Sequence, residues 1–389
     1  MPLHGLPDRL AGPVAEVCEV AEKEAPRADR DAEFPAESLT ALRRTGLLGI
    51  LVPEEFGGLG GTTADLVAVT TALGRTDTSL AMIFTMHCQQ VAALVRFGSA
   101  RLRAEVLPAV ARGDLYLASV TTEPGSRGDL LNSRSVAVST GGMLRIDRDA
   151  PIVTGGIHAD GFLITTRAPD ATSPAQVDLV YAARDQLRLD VLGGWEPLGM
   201  RATQSVPMRL AGDIPPWQVI GEHGGFRSVA TAVFMPLAHI GWSAAWLGTA
   251  TGAYSRVLRH IRGPAGRRQF DPASELLLHR LATIRARLET VHALLQHTVR
   301  VTDTYEDLSA PSVQLLLNTL KTQAADDCFA VVHELIELAG LSRGYSTQSP
   351  LALERAFRDL RSASLNYGND RLRLTNGALA LRDTEVRLV

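Results

Sequence analysis

Apolar residues fall three and four positions apart through most of the first hundred residues. Leu39, Leu42 and Leu47 mark one face of residues 36–48, and residues 64–73 and 80–95 repeat the spacing. That period predicts amphipathic helices, because side chains three and four apart share a helix face. Gly57-Gly58-Leu59-Gly60-Gly61 separates the first two. A glycine-rich loop can cradle phosphate, but no strand precedes this one and no GKS or GKT follows, so it reads as a flexible turn. From about Tyr116 to Phe226 the period drops to two. Residues 133–139 and 143–146 alternate, and residues 177–182, 187–192 and 206–210 read as further strands. Gly141-Gly142, Pro151 and Gly193-Gly194 punctuate them. From Ser228 onward the pattern is helical again, with long amphipathic stretches over 230–261, 275–303 and 312–338.

This order predicts an α+β fold of three blocks. An N-terminal helical domain covers 1–115, a central β-barrel or sandwich domain covers 116–226, and a C-terminal helical bundle covers 227–389.

Composition narrows the classes. A chain of 389 residues, 46% hydrophobic and 21% charged, builds a large core without disulfides. A net charge of −3 gives no reason to expect nucleic acid or an anionic membrane as partner. Arginine dominates the basic residues, with Lys23 and Lys321 the only lysines. Cys18, Cys88 and Cys328 are widely spaced and show no metal-ligand pattern, so reduced thiols and no metal are expected. The first residues lack a cationic stretch followed by an apolar core, and no apolar run reaches ~18 residues. A cytoplasmic location without a membrane anchor is the expectation.

Three segments carry the chemistry. Thr121-Thr122-Glu123-Pro124-Gly125-Ser126-Arg127-Gly128-Asp129 lies at the switch from helix to strand. A Pro-Gly turn there exposes N–H groups and a hydroxyl, which suit the oxygens of a heteroaromatic ring. Pro151-Ile152-Val153-Thr154-Gly155-Gly156 follows within the β region, and Ala339-Gly340-Leu341-Ser342-Arg343-Gly344-Tyr345 precedes Arg358-Asp359. Together these segments resemble the acyl-CoA dehydrogenase family over nearly the whole chain. Its T-E-P-x-x-G-S-D, W-I-T-N-G, G-G-x-G-(Y/F) and R-D motifs stand at those places. The resemblance implies FAD, with Thr122, Gly128, Val153 and Thr154 beside the ring. It also implies that Gly340 and Gly344 approach the pyrophosphate of a neighbouring subunit in a homodimer or homotetramer. Arg267 and Phe270 match the family's R-x-x-F turn, although Gly263 and Pro264 break the helix before them. Arg358 and Asp359 read either as part of that motif or as a structural ion pair.

The catalytic position departs from the family. Its members oxidise an acyl thioester at Cα–Cβ with a glutamate base, and here Tyr367 stands where that glutamate follows the R-D motif. The other family position for the base, on the first long helix of the C-terminal block, is Ala238. A phenol with a pKa near ~10 is a poor base at neutral pH. Two substitutes are visible: Asp370, which also reads as a helix N-cap, and His239, beside Ala238 on the helix. Ile152 replaces an aromatic residue that usually covers the flavin. Three functions stay open. One is FAD-dependent oxidation of an acyl thioester, on CoA or an acyl-carrier protein, with a non-standard base and an electron acceptor. Another is a reduced-flavin monooxygenase that uses O2 on the same fold. The third is a non-catalytic relative.

Overall fold

The structure is a computed structural model that describes residues 6–125, 129–386 and 388–389. Helices α1 (Asp8–Asp31), α2 (Ala36–Arg44), α3 (Thr63–Gly74), α4 (Thr78–Phe97) and α5 (Ala100–Ala111) come first. Strands β1 (Leu117–Val120), β2 (Val138–Thr140), β3 (Met143–Val153) and β4 (Gly161–Arg167) follow, then β5 (Val177–Ala183), β6 (Leu187–Val191), β7 (Val206–Ile214) and β8 (Val219–Ile220). The last part holds α6 (Phe226–Val229), α7 (Met235–Arg262), α8 (Gly266–Gln269), α9 (Glu275–Thr304), α10 (Pro311–Gly340), α11 (Leu353–Arg361) and α12 (Asn369–Ala380). A π-helical turn, Ala230–Phe234, joins α6 to α7, and another, Leu341–Tyr345, follows α10.

The strands form two four-stranded sheets, ordered β1-β4-β5-β8 and β2-β3-β7-β6. Val120, Ile164 and Val180 of one sheet share a buried cluster with Ile146, Ala150 and Leu210 of the other. The β region is therefore a sandwich of two open sheets, not a closed barrel. Gly141 and Gly142, at φ 59 and 76, make the tight turn between β2 and β3, a left-handed pair that side chains disfavour.

Two strand expectations need correction. Residues 133–137 are not a strand, because the Glu123 carboxylate takes the N–H groups of Arg134 and Ser135 that a neighbouring strand would otherwise bind. Pro151 does not end a strand but lies inside β3, where a register shift between Ala150 and Val153 removes the need for its missing N–H. The apolar stretch in α4 is long enough to cross a bilayer, and most of it is buried against the rest of the fold.

Arg358 and Asp359 do not pair with each other. Arg358 bridges to Asp29 of α1 at 2.6 Å and to Glu354 at 2.8 Å, and it donates to the Leu198 carbonyl. Asp359 accepts the Met200 N–H at 2.6 Å. A Cβ at Gly199 would lie 2.0 Å from the Arg358 carbonyl oxygen, so only glycine permits this approach. The dipeptide thus ties α1, the β sandwich and α11 together.

Burial pushes the Asp359 carboxyl up to about 7, and the nearby carboxylates of Asp29 and Asp77 add to the effect, while the Met200 N–H opposes it. The folded chain then holds this proton where the unfolded chain, with a pKa near ~3.9, has lost it. The resulting stabilisation is complete below about pH 4 and disappears as pH rises through about 7. Asp359→Asn keeps an acceptor for Met200 and has no proton to lose. Urea unfolding from pH 5 to 8 is expected to show the variant gaining on the wild type by up to ~1.4 kcal/mol per pH unit below pH ~7. Parallel curves would contradict the assignment.

Candidate flavin site

A cavity of about 420 Å³ opens where the three parts meet. Met82, Met86 and Gln89 of α4 form one wall, and Phe234, Met235 and Trp242 form another. The sandwich contributes Thr122, Ile152, Thr154, Trp195 and Ser205, and the segment after α11 contributes Leu365, Asn366 and Tyr367. The lining is mostly apolar, with hydroxyls concentrated on the β side.

The ends of β1 and β3 build that polar side. The Thr122 hydroxyl donates to the Ile152 carbonyl at 3.0 Å. Thr154 shares a hydrogen bond with Ser205 at 2.9 Å, and Ser205 another with Thr203 at 2.8 Å. Ile152 is 46% exposed, its side chain offering a flat apolar face. Val153 turns the opposite way and is fully buried in the sandwich core, so its side chain is not part of the cavity. Strand alternation dictates that outcome. Gly128 lies outside the described residues.

Glu123, just after Thr122, is buried and ion-paired to the equally buried Arg148. It also accepts from the Ser133 hydroxyl and from the N–H groups of Arg134 and Ser135. Arg148 in turn donates to the Thr122 carbonyl at 3.0 Å. This network fixes the turn that carries Thr122, and it commits Glu123 to structure.

On the opposite side Ala238, His239 and Tyr367 all face the cavity. The His239 and Tyr367 rings are 6.2 Å apart. Burial, reinforced by the nearby Lys321 charge, pushes His239 down to about 3, although a backbone hydrogen bond at Leu317 opposes the shift. The ring is therefore neutral at physiological pH, and its Nδ1 has no partner among the described residues. Burial raises the Tyr367 phenol above its ordinary value. Tyr367 is held at φ 51, a left-handed conformation uncommon for a bulky residue.

Lys321 explains how that conformation is held. Its fully buried ammonium donates to the carbonyls of Ala363 at 3.0 Å and Tyr367 at 3.4 Å and to Asn369 Oδ1 at 2.7 Å. Burial lowers its pKa to about 7. Lys321, Arg148, Trp195 and Ser205 were not expected from the sequence. Only Lys321 left a signal there, as a lone cation inside an apolar helix.

The remaining expected residues are not brought to this cavity. Asp370 lies in the first turn of α12, fully exposed and 3.5 Å from Arg373, with Gly368 rather than Asp370 in the capping position. A helix turn separates it from Tyr367, and no inward rotation is seen. Arg267 and Phe270 belong to α8 and its end, where Phe270 packs edge-on against His260 at 6.3 Å. Gly340 and Gly344 flank the π turn after α10. Leu341 and Tyr345 in that turn are 80% and 70% exposed.

An apolar slot with hydroxyls and strand-end amides along one edge suits a flat heteroaromatic ring such as an isoalloxazine. Residues 13–114 match the family described as acyl-CoA dehydrogenase, N-terminal domain, and residues 240–369 match acyl-CoA dehydrogenase, C-terminal domain. The chain belongs to the acyl-CoA dehydrogenase family. It is 24% identical over 348 residues to a mitochondrial isobutyryl-CoA dehydrogenase of Dictyostelium discoideum, covering 88% of this chain and 80% of that one. It is 26% identical over 362 residues to an amino sugar nitrososynthase of Streptomyces peucetius, covering 87% and 84%. A solved complex of TdsC from Paenibacillus sp. A11-2 with FMN and indole shares the fold. Its TM-score is 0.86 at 20% identity, over 98% of each chain.

Removing Arg148 while leaving Glu123 buried tests the network beneath Thr122. Arg148→Met is expected to cost ~3–5 kcal/mol in chemical unfolding, the range for stranding one member of a buried ion pair. A cost under ~1 kcal/mol would show that Glu123 is satisfied without it.

Proposed function

We propose that this protein is a flavin-dependent monooxygenase on the acyl-CoA dehydrogenase fold, with FAD as the flavin, rather than a thioester dehydrogenase. The observation that carries the reading is the placement of Ala238 and Tyr367. Ala238 and Tyr367, where the resemblance puts the family's glutamate base, both line the cavity and present a methyl group and a phenol. Dehydrogenation at Cα–Cβ needs a group that takes an α-proton as hydride leaves. A phenol raised by burial keeps its proton at neutral pH and cannot take another, and a histidine lowered to about 3 is a weak base.

Oxygenation makes a different demand on the chain. When held by these residues, a reduced flavin would supply the two electrons that, with two protons, let one atom of O2 enter the substrate and the other leave as water. The protein has to exclude bulk water and orient the substrate. Met82, Met86, Phe234 and Met235 supply dry, adaptable walls. Thr122 and Thr154 would hold the polar edge of the ring. His239 Nδ1, buried and unpartnered, is placed to bind a substrate N–H or O–H. The loop that Lys321 anchors would close the cavity over Tyr367. Arg267, Phe270, Gly340 and Gly344 would serve the flavin of a second subunit in a homo-oligomer.

Oxidation of an acyl thioester, carried by CoA or an acyl-carrier protein, is the second reading. His239 favours it, because it lies in the cavity next to the position of the missing base. Anaerobic mixing of the flavin-loaded protein with a panel of both thioester types separates the two readings. The monooxygenase reading expects no bleaching of the visible flavin band, and oxygen consumption with substrate oxygenation once the flavin is reduced. Bleaching of the wild-type protein by any thioester overturns it. Ala238→Glu is expected to create thioester-dependent bleaching where the wild type has none. The oxygenation rate should show no inflection from His239 between pH 5 and 8, since its proton is lost well below that range.

A further inference from the structure

A second, larger cavity, of about 590 Å³, lies among α1, the end of α3, the second half of α7 and the turn before α11. It is remote from the first. Ala238 lines one cavity and Ser255 the other, and α7 rises about 25 Å between them at ~1.5 Å per residue. Arg75, Arg256, Arg259 and Arg355 all line this second cavity.

The hydrogen bonds of three of these guanidinium groups go to neutral oxygens. Arg75 donates to the Ser255 hydroxyl at 2.9 Å and Arg355 to the Thr76 carbonyl at 3.3 Å. Arg256 donates to the Leu351 carbonyl at 2.7 Å and the Arg75 carbonyl at 3.2 Å. Among the described residues, no carboxylate oxygen lies within 4.0 Å of the charged nitrogens of Arg75, Arg256 or Arg355. Glu19 and Glu22 also line the cavity, and Glu19 is bound to Lys23 at 2.7 Å. Burial and the neighbouring arginines together lower the pKa of Arg256 to about 10, with Glu22 opposing them. Arg75, Arg256 and Arg355 therefore bring three guanidinium groups, hydrogen-bonded to neutral oxygens, into one cavity, with Glu22 acting on Arg256 from the same lining.

We propose that this cavity binds a small polyphosphate anion, of nucleoside-diphosphate size, independently of the flavin. Guanidinium forks match phosphate oxygens two at a time, and several forks around one cavity favour an anion carrying more than one charge. The volume lies within the ~300–1,000 Å³ of small-molecule sites. A multiply charged ligand would relieve the mutual repulsion of the arginines, which a single chloride could do only in part.

Calorimetric titration of the flavin-loaded full-length protein tests this, with inorganic pyrophosphate, ADP and adenosine as probes. Pyrophosphate and ADP are expected to bind one per chain, with affinity falling as salt rises, while adenosine does not bind. ADP binding tighter than pyrophosphate identifies a nucleotide as the preferred source of the phosphates, and equal binding identifies the bare polyphosphate. The double variant Arg75→Gln with Arg355→Gln is expected to lose at least ~10-fold in affinity while keeping the flavin spectrum. If that variant does not hold flavin, Arg75→Lys with Arg355→Lys replaces it, keeping the charges, losing the forks and still weakening binding. The proposal is overturned if neither phosphate probe binds at millimolar concentration. It is also overturned if the variants bind as the wild type does, or if ADP binds only by displacing the flavin. Binding of an acidic peptide but neither phosphate probe would likewise overturn it and make the cavity a protein-docking surface.

Discussion

The joint at Arg358 and Asp359 is the constraint on which the candidate site depends. Three parts of the chain with different periodicities must meet at fixed angles for a cavity to exist between them. Arg358 reaches Asp29 on α1 and the Leu198 carbonyl of the sandwich, while Asp359 holds the Met200 N–H. Met200 lines the cavity, and Tyr367 lies eight positions after Asp359 along the same chain segment. The clamp therefore sets the distance between the β wall and the wall that carries the reacting positions. Arg201 strengthens it by donating to the Asp29 carbonyl at 2.8 Å.

Two buried charges then shape the opposing walls. Arg148 with Glu123 fixes the turn below Thr122, and Lys321 fixes the loop that presents Tyr367. Each is an arrangement in which a buried charge is tolerated because most of its hydrogen bonds are made locally, with Arg148 Nε left without a partner among the described residues. Both support the backbone of the site from behind, leaving the cavity mostly apolar with hydroxyls on its β side. His239 differs from those hydroxyls in lining the cavity with a buried nitrogen that has no partner among the described residues. That contrast is why it is assigned to substrate rather than to the fold.

Much of this was legible in the sequence, for identifiable reasons. The helical and two-residue periods carry the α–β–α order, whereas Thr122 and Thr154 were legible through the family motifs they resemble, since β1 leaves no alternating pattern. The missed strands β1 and β4 are buried along nearly their whole length, so their residues do not alternate. Residues 133–137 alternate without being a strand, because the Glu123 carboxylate, 11 and 12 positions earlier, satisfies the donors of Arg134 and Ser135. Local pattern also could not show that Arg358 and Asp359 find partners 329 and 159 positions away. The reading of Asp370 failed on orientation: its place in the chain was close to Tyr367, but helix α12 directs it to solvent.

The account stands most directly on where a flavin binds. A crystal structure of the flavin-loaded protein would locate the ring. The account expects the isoalloxazine in the first cavity, its polar edge on Thr122 and Thr154, one face on Ile152, with Ala238, His239 and Tyr367 around the space left for substrate. A ring bound elsewhere, or a cavity that the fold closes when flavin is present, would contradict it.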